Sequence, residues 1–300
     1  MFMLKRTFES RLVLLRQLGF NVISLDEAAS ALRGEIRVPV DCVVITIDDG
    51  WYSTYAHMLP ALKRHGMHAT IYCDTKNLVS NIPVPHVMAR YLQKIRAPHA
   101  DLPPHVEDAF SRAIDLSLDA ETRYAAAREF ADILKLDGAS YVADRVFSYM
   151  TEDEIAHASH DGFAIELHSH SHSLDDFSFP KLREEISTNR QVLGRILNVP
   201  PEHFRHFCYP SGRVPPDGGG GLRRLDVISA TTLQTGIAYP GSDLLLLPRI
   251  IDGNHLSDIE FEAELCGVGD FLRKTRAAGS NILAGDRRRS GDDLRSSVQR

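Results

Sequence analysis

Residues 42–50 read Cys42-Val-Val-Ile-Thr-Ile-Asp48-Asp49-Gly50. The first six are apolar or β-branched without a break, the pattern of a strand covered on both faces in a parallel sheet. Two carboxylates then arrive together where the strand stops. Strand C-terminal ends are where α/β barrels gather catalytic groups. Adjacent side chains at a strand end point in different directions, so one carboxylate can bind a metal while the other takes a proton. A plain Asp-Gly turn has the same spelling.

Upstream, Leu4, Phe8, Leu12, Leu15 and Leu18 recur at helical spacing and stop at Gly19. Phe20–Leu25 reads as a short strand, and Ser24 with Glu27 forms a capping box opening a helix that ends near Gly34. Downstream, a helical segment to Gly66 precedes a strand at His68–Cys73. Prolines at 83, 85, 98, 103 and 104 then punctuate helix-like stretches, so 75–150 reads as a helical insertion. The alternation resumes with a helix behind Thr151 and Glu154, strand Phe163–Leu167, helix Lys181–Leu197 and strands Phe204–Tyr209, Val227–Thr232 and Leu244–Ile250, then a helix over 257–266. This order favours an α/β fold, a parallel sheet or a (β/α) barrel, spanning 1–270. A Gly-, Ser- and Arg-rich tail follows, placed at 271–300 and expected to be disordered. The run Gly218–Gly221 has no Lys or Ser/Thr behind it, so it reads as a flexible connection rather than a phosphate loop.

Net charge is −6 over 300 residues, which argues against a nucleic-acid partner. No window approaches the roughly 20 apolar residues of a membrane span. The basic and acidic residues at 5, 6, 9, 11 and 16 interrupt any secretory signal, so a cytoplasmic location is expected. The four cysteines are widely spaced, which makes a disulfide framework or a Cys-type zinc site a poor reading.

Histidine is the outlying count, at fourteen, and His168-Ser-His-Ser-His172 follows an apolar strand. Imidazoles are the commonest metal ligands. An extended segment would point His168, His170 and His172 to one face; a turn would let His168 and His172 converge while His170 faces elsewhere. With Asp49 the cluster makes a two-His, one-carboxylate set that suits hydrolytic zinc and also non-haem iron. A polar loop that merely holds histidines is the plainer alternative. Phe207-Cys-Tyr-Pro-Ser-Gly212 ends a third strand in a turn of a kind that can aim backbone N–H groups at an oxyanion.

Taken in order, Thr46-Ile-Asp-Asp-Gly50, His168-Ser-x-x-His172 and Phe207-Cys-Tyr-Pro-Ser-Gly212 resemble the polysaccharide deacetylase family, which includes chitooligosaccharide deacetylases. Leu59-Pro-Ala-Leu, His68-Ala-Thr-Ile-Tyr, Met150-Thr-x-x-Glu and Leu247-Pro-Arg-Ile250 are further matches, over roughly 5–270 outside the insertion. The resemblance implies an incomplete (β/α) barrel of about seven strands and a metal-dependent hydrolase that removes acetyl groups from N-acetylated amino sugars. It implies Asp49, His168 and His172 as ligands of a divalent metal, usually Zn2+, and Asp48 as general base. It also implies a backbone N–H among Tyr209, Pro210, Ser211 and Gly212 as oxyanion donor. Two departures stand out. Where many members carry an arginine that pairs with the base, this chain has Cys208, with Arg205 or Arg213 as possible substitutes. Where the family has a late Leu-x-His acid, this chain has Leu247-Pro-Arg249, leaving His255 as the candidate acid. An amidase on a non-sugar substrate, an iron oxygenase and a non-catalytic sugar-binding protein are the competing readings.

Overall fold

The computed structural model describes residues 3–80, 82–96, 103–115, 117–172 and 178–275. The chain opens with α1 (Lys5–Gln17), β1 (Asn21–Val22), α2 (Leu25–Leu32), β2 (Cys42–Val43) and β3 (Thr46–Ile47). Next come α3 (Leu59–His65) and β4 (Thr70–Cys73), then five helices in a row: α4 (Thr75–Ser80), α5 (Pro85–Arg96), α6 (Pro104–Ile114), α7 (Ala120–Ile133) and α8 (Gly138–Ala143). After them the alternation returns with α9 (Glu152–His160), β5 (Ala164–Leu167), α10 (Phe179–Leu197) and β6 (His206–Cys208). It ends with α11 (Gly220–Arg223), β7 (Ser229–Thr235), β8 (Leu247–Arg249) and α12 (Asp258–Leu265).

Six strands form one all-parallel sheet in the order β3-β4-β5-β6-β7-β8, with β1 and β2 as a separate parallel pair. The sheet curls into a half-barrel whose edge strands approach each other, for Arg249 on β8 reaches Thr46 Oγ1 of β3 at 3.2 Å. The two faces separate by residue parity. Ile71, Cys73, Ile165, Leu167 and Phe207 join the main apolar core beneath the helices. Tyr72 and Cys208 point the other way, packing with Leu25 inside the curl. The capping boxes at Ser24/Glu27 and Thr151/Glu154 form as expected, and α12 has its own at Ser257/Glu260. Among the described residues no helix is long and apolar enough to cross a membrane.

Four expectations change. The run 42–47 is not one strand: Cys42 and Val43 pair with β1, while Thr46 and Ile47 pair with β4. Only Ile47 of that run is buried, because β3 is the edge of an open barrel. The expected strand at 244–250 starts as a 3-10 turn at Leu244–Leu246, which Asp243 caps by accepting from Leu245 N–H at 2.9 Å. The glycine run is not a flexible connection but a site of close approach. A Cβ on Gly219 would lie 2.3 Å from Leu245, and one on Gly221 2.6 Å from Leu182. The expected tail is entered by a helix over 268–275, and 276–300 lie outside the described residues.

The segment 75–150 is helical and has its own apolar core, built from Met88, Leu92, Val106, Ala127, Phe130 and Phe147. Its two ends meet, Val84 N–H donating to Phe147 O, and the exit is strapped to the loop after β3 by Tyr52 N–H to Ser148 O and Met150 N–H to Gly50 O, all at 2.8–2.9 Å. Phe130 is fully buried in that core, so Phe130→Ala removes about 3–5 kcal/mol of packing. Because the two cores are separate, hydrogen exchange should show protection lost in α5–α7 while β4–β6 keep theirs. Equal loss in both regions would show that the cores unfold as one.

Candidate metal centre

Asp48 and Asp49 diverge as two neighbours at a strand end must. Asp49 sits at φ 73°, in the left-handed region that non-glycine residues rarely occupy, and Gly50 follows at φ 84°. The reversal turns the Asp49 carboxylate toward β5. Its Oδ1 lies 3.2 Å from His168 Nε2 and 3.2 Å from His172 Nε2. Its Oδ2 accepts from Trp51 Nε1–H at 2.8 Å. Trp51 in turn stacks on Tyr149 at the exit of the helical insertion, with ring centroids 4.7 Å apart.

The histidine segment turns rather than staying extended. Ser169 (φ 65°) and His172 (φ 54°) are both left-handed, and the imidazoles of His168 and His172 meet with centroids 5.0 Å apart. His170 points away, its Nδ1 2.9 Å from Thr75 Oγ1. Two side chains of α10 hold this turn. Glu185 accepts from the N–H groups of His170 (3.0 Å) and Ser171 (2.7 Å), and from Ser171 Oγ–H (2.8 Å). Asn189 accepts from His168 N–H at 3.1 Å and donates to Cys73 O at 3.0 Å, tying β5 to β4. Sequence reasoning passed over both. Their signal was two polar residues four apart within the buried stripe Leu182, Ile186 and Leu193.

The donor set fits a cation. One ligand atom from each of Asp49, His168 and His172 lies within 4.8 Å of the others. His168 Nδ1 is 2.8 Å from Cys208 O. Donation there fixes the tautomer and leaves the Nε2 lone pair facing Asp49. Burial alone would raise the Asp49 carboxyl, but the two histidines beside it hold it well below the usual carboxylate range. Burial opposes charge on His168, yet Cys208 and the Asp49 carboxylate raise its pKa well above the ordinary value. A buried carboxylate kept ionised beside two imidazoles marks a place built for positive charge.

Asp48 faces the opposite edge. Arg249 grips it in a two-pronged pair, Nη1 to Oδ1 at 2.8 Å and Nη2 to Oδ2 at 2.9 Å. The guanidinium on Asp48 therefore comes from β8 and not from either expected substitute. Arg205 instead points to Asp26, 3.4 Å away. Burial pushes the Asp48 carboxyl up, but the Arg249 hydrogen bonds and charge outweigh it and hold the pKa below its ordinary value. Asp48, His168 and Cys208 also cluster within 4.8 Å. There, however, Arg249 already donates to Cys208 Sγ at 3.3 Å and supplies the positive charge.

The turn after β6 narrows the donor question. Tyr209 N–H is spent on Thr231 O and Gly212 N–H on Tyr209 O, and Pro210 has none. Among the described residues nothing accepts from Ser211 N–H, and Ser211 is left-handed at φ 53°. The Tyr209 hydroxyl is committed to Gly218 O and Leu245 O. His255 is exposed, on a turn tied to α1 by Arg11–Asp252 and by Asn254 to Leu4 N–H. The structure does not place it with the residues above.

Comparisons with known proteins bear on the family and the fold. The family profile described as polysaccharide deacetylase matches residues 35–226. A putative polysaccharide deacetylase of Bacillus subtilis, YxkH, is 34% identical over 74 residues, which is 25% of this chain. The chain spans only 26% of the length of that curated relative. Among solved structures, the Streptococcus pyogenes deacetylase PplD in complex with acetate superposes with a TM-score of 0.60 at 18% identity, covering 87% of this chain and 86% of its own. A de-N-acetylase from Aggregatibacter actinomycetemcomitans gives 0.58 at 14% identity, covering 87% and 88%. IcaB from Ammonifex degensii gives 0.54 at 19% identity, covering 84% of each chain. At these identities the structural likeness establishes the shared fold.

The Asp48–Arg249 pair can be tested without an activity. Arg249→Met leaves a carboxylate 30% exposed without its partner, at a cost of about 2–4 kcal/mol near neutral pH. With Arg249 gone, burial raises the Asp48 pKa above its unfolded value, so the deficit shrinks as pH falls and the carboxyl becomes neutral. Adding Asp48→Asn should restore most of the loss. Denaturant melts that show a pH-independent deficit, or no rescue by the second change, would refute this account.

Proposed function

The chain belongs to the polysaccharide deacetylase family, and from that premise we propose that it is a metal-dependent hydrolase that removes acetyl groups from N-acetylated amino sugars. The observation carrying this reading is the division of labour at one strand end: Asp49 gathered with two imidazoles, Asp48 held ionised by a guanidinium. A divalent ion held by Asp49, His168 and His172, zinc in this reading, supplies a Lewis acid that polarises water and the acetyl carbonyl.

The chain's own residues do the rest. Asp48 takes the proton of the attacking water on a carboxylate oxygen as the water's oxygen bonds to the acetyl carbon. Arg249 occupies both Asp48 oxygens from one side, so the carboxylate cannot rotate away from the approaching water. Ser211 N–H is the backbone donor assigned to the oxyanion. Breakdown cleaves the carbon–nitrogen bond and yields acetate and the amino sugar. The departing nitrogen needs a proton, and Asp48 holds the one it has just taken. A carboxyl whose ionised form is favoured by Arg249 releases that proton readily, so the cycle closes without His255. The binding-protein alternative drew on a missing arginine and a missing histidine. Arg249 supplies the guanidinium whose absence was the first ground, and in this reading the proton returned from Asp48 answers the second.

Metal-loaded protein should release acetate from N-acetylglucosamine oligomers. Asp48→Asn should lower turnover about 10²–10⁴-fold while bound metal, counted by elemental analysis, stays unchanged. Loss of metal in that variant would reverse the roles of the two aspartates. Acetate release from simple non-sugar amides but from no acetylated sugar would move the activity to a different amidase.

A further inference from the structure

Asp74 follows the last residue of β4, one step past the pair Cys73–Leu167, so continuing the register sets it beside His168. Its side chain is fully buried. Oδ1 accepts from Asn77 N–H (3.2 Å) and from Asn77 Nδ2–H (2.9 Å) at the start of α4. Oδ2 is buried as well and, among the described residues, has no hydrogen-bond partner. Capping a helix start needs only one acceptor, and Ser, Thr or Asn provides it without burying a charge. The second oxygen therefore calls for a separate reason, since buried polar atoms are nearly always satisfied, by ordered water where not by protein.

What surrounds Asp74 points toward the metal centre. Burial pushes its pKa up to about 6, while the charges of His172 and His168 act in the opposite direction and that of Asp49 adds to the rise; the Tyr149 hydroxyl also borders it. Yet Asp74 is not one of the three groups whose donor atoms lie within 4.8 Å of one another. It is close enough to feel the site and too far to join the ligand set.

We infer that Asp74 is a second carboxylate of the metal centre acting at one remove, its free Oδ2 accepting a hydrogen bond from a water on a divalent cation held by Asp49, His168 and His172. This rests on the metal reading of the site and adds to it a named outer group. Its negative charge supplements the single carboxylate of the ligand set. Its hydrogen bond orients the water, and the Asn77 backbone N–H on Oδ1 holds the carboxylate in place. Partners of this kind, beyond the ligands themselves, change metal affinity about 10–100-fold when removed.

Calorimetric titration of Zn2+ into the metal-free full chain near neutral pH tests this. Wild type should bind a single ion. Asp74→Asn keeps an acceptor for Asn77 and should bind with the same stoichiometry about 10–100-fold more weakly. Asn77→Ala, which removes the Nδ2–H bond to Oδ1 but keeps the backbone N–H bond and leaves Oδ2 intact, should bind as wild type does. Unchanged affinity in Asp74→Asn, or an equal loss in Asn77→Ala, overturns the inference and leaves the ligand set standing. A wild-type chain that takes up no Zn2+ overturns the ligand set itself. If Asp74→Asn fails to fold, a crystal structure of the zinc-loaded wild type decides. A water bridging Oδ2 and the ion supports the assignment, and an Oδ2 bonded only to the Tyr149 hydroxyl overturns it.

Discussion

Arg249 stands on the last strand of an open sheet and lays its guanidinium across the carboxylate of Asp48, at the end of the first. The same side chain donates to Thr46 Oγ1, to Thr232 O at 2.9 Å and to Cys208 Sγ. One cation thus ties together the ends of β3, β6, β7 and β8. A six-stranded parallel sheet need not close, and backbone hydrogen bonds do not join its edges. An ion pair of good geometry at the mouth, with both prongs satisfied, draws the edges together and sets the distance between Asp48 and the groups on β5. The charge arrangement required for chemistry and the closure of the scaffold are therefore one interaction.

Around that pair the site is built from residues held in uncommon backbone conformations. Asp49, Ser169, His172 and Ser211 all have positive φ, and each follows a strand of the sheet. Such conformations cost about 1–3 kcal/mol apiece and persist only where neighbours over-determine them. Here Trp51 holds Asp49, and Glu185 and Asn189 hold the histidine turn. The helical insertion takes part too, because the stack of Tyr149 on Trp51 carries its packing to the Asp49 carboxylate. A segment with a core of its own can then bear on the site without contributing a ligand.

Much of this was legible from residue order. The Asp48-Asp49 pair, the spacing of His168 and His172, the strand–helix alternation and the family resemblance led to an incomplete (β/α) barrel and a two-histidine, one-carboxylate set, and the structure assembles both, the barrel with six strands in its main sheet. Edge effects were less legible. The run 42–47 has a core strand's composition but divides between two sheets, because pairing partners and not local residues decide where a strand ends. The glycines at 219 and 221 looked like flexibility and turned out to be room for Leu245 and Leu182, which lie far along the chain.

Residue type and spacing determined which side chains this protein has for chemistry and at which strand ends they lie, since period-two alternation and capping preferences are local properties of the chain. Only the tertiary structure decided which arginine serves Asp48. Arg205 and Arg213 lie near the third motif in sequence, whereas Arg249 is 201 residues from Asp48 and beside it in space. Likewise, nothing about Asp74 stands out in its sequence neighbourhood. Its unpaired oxygen becomes visible only once β4 is set between β3 and β5, because burial and hydrogen-bond satisfaction are properties of the assembled fold.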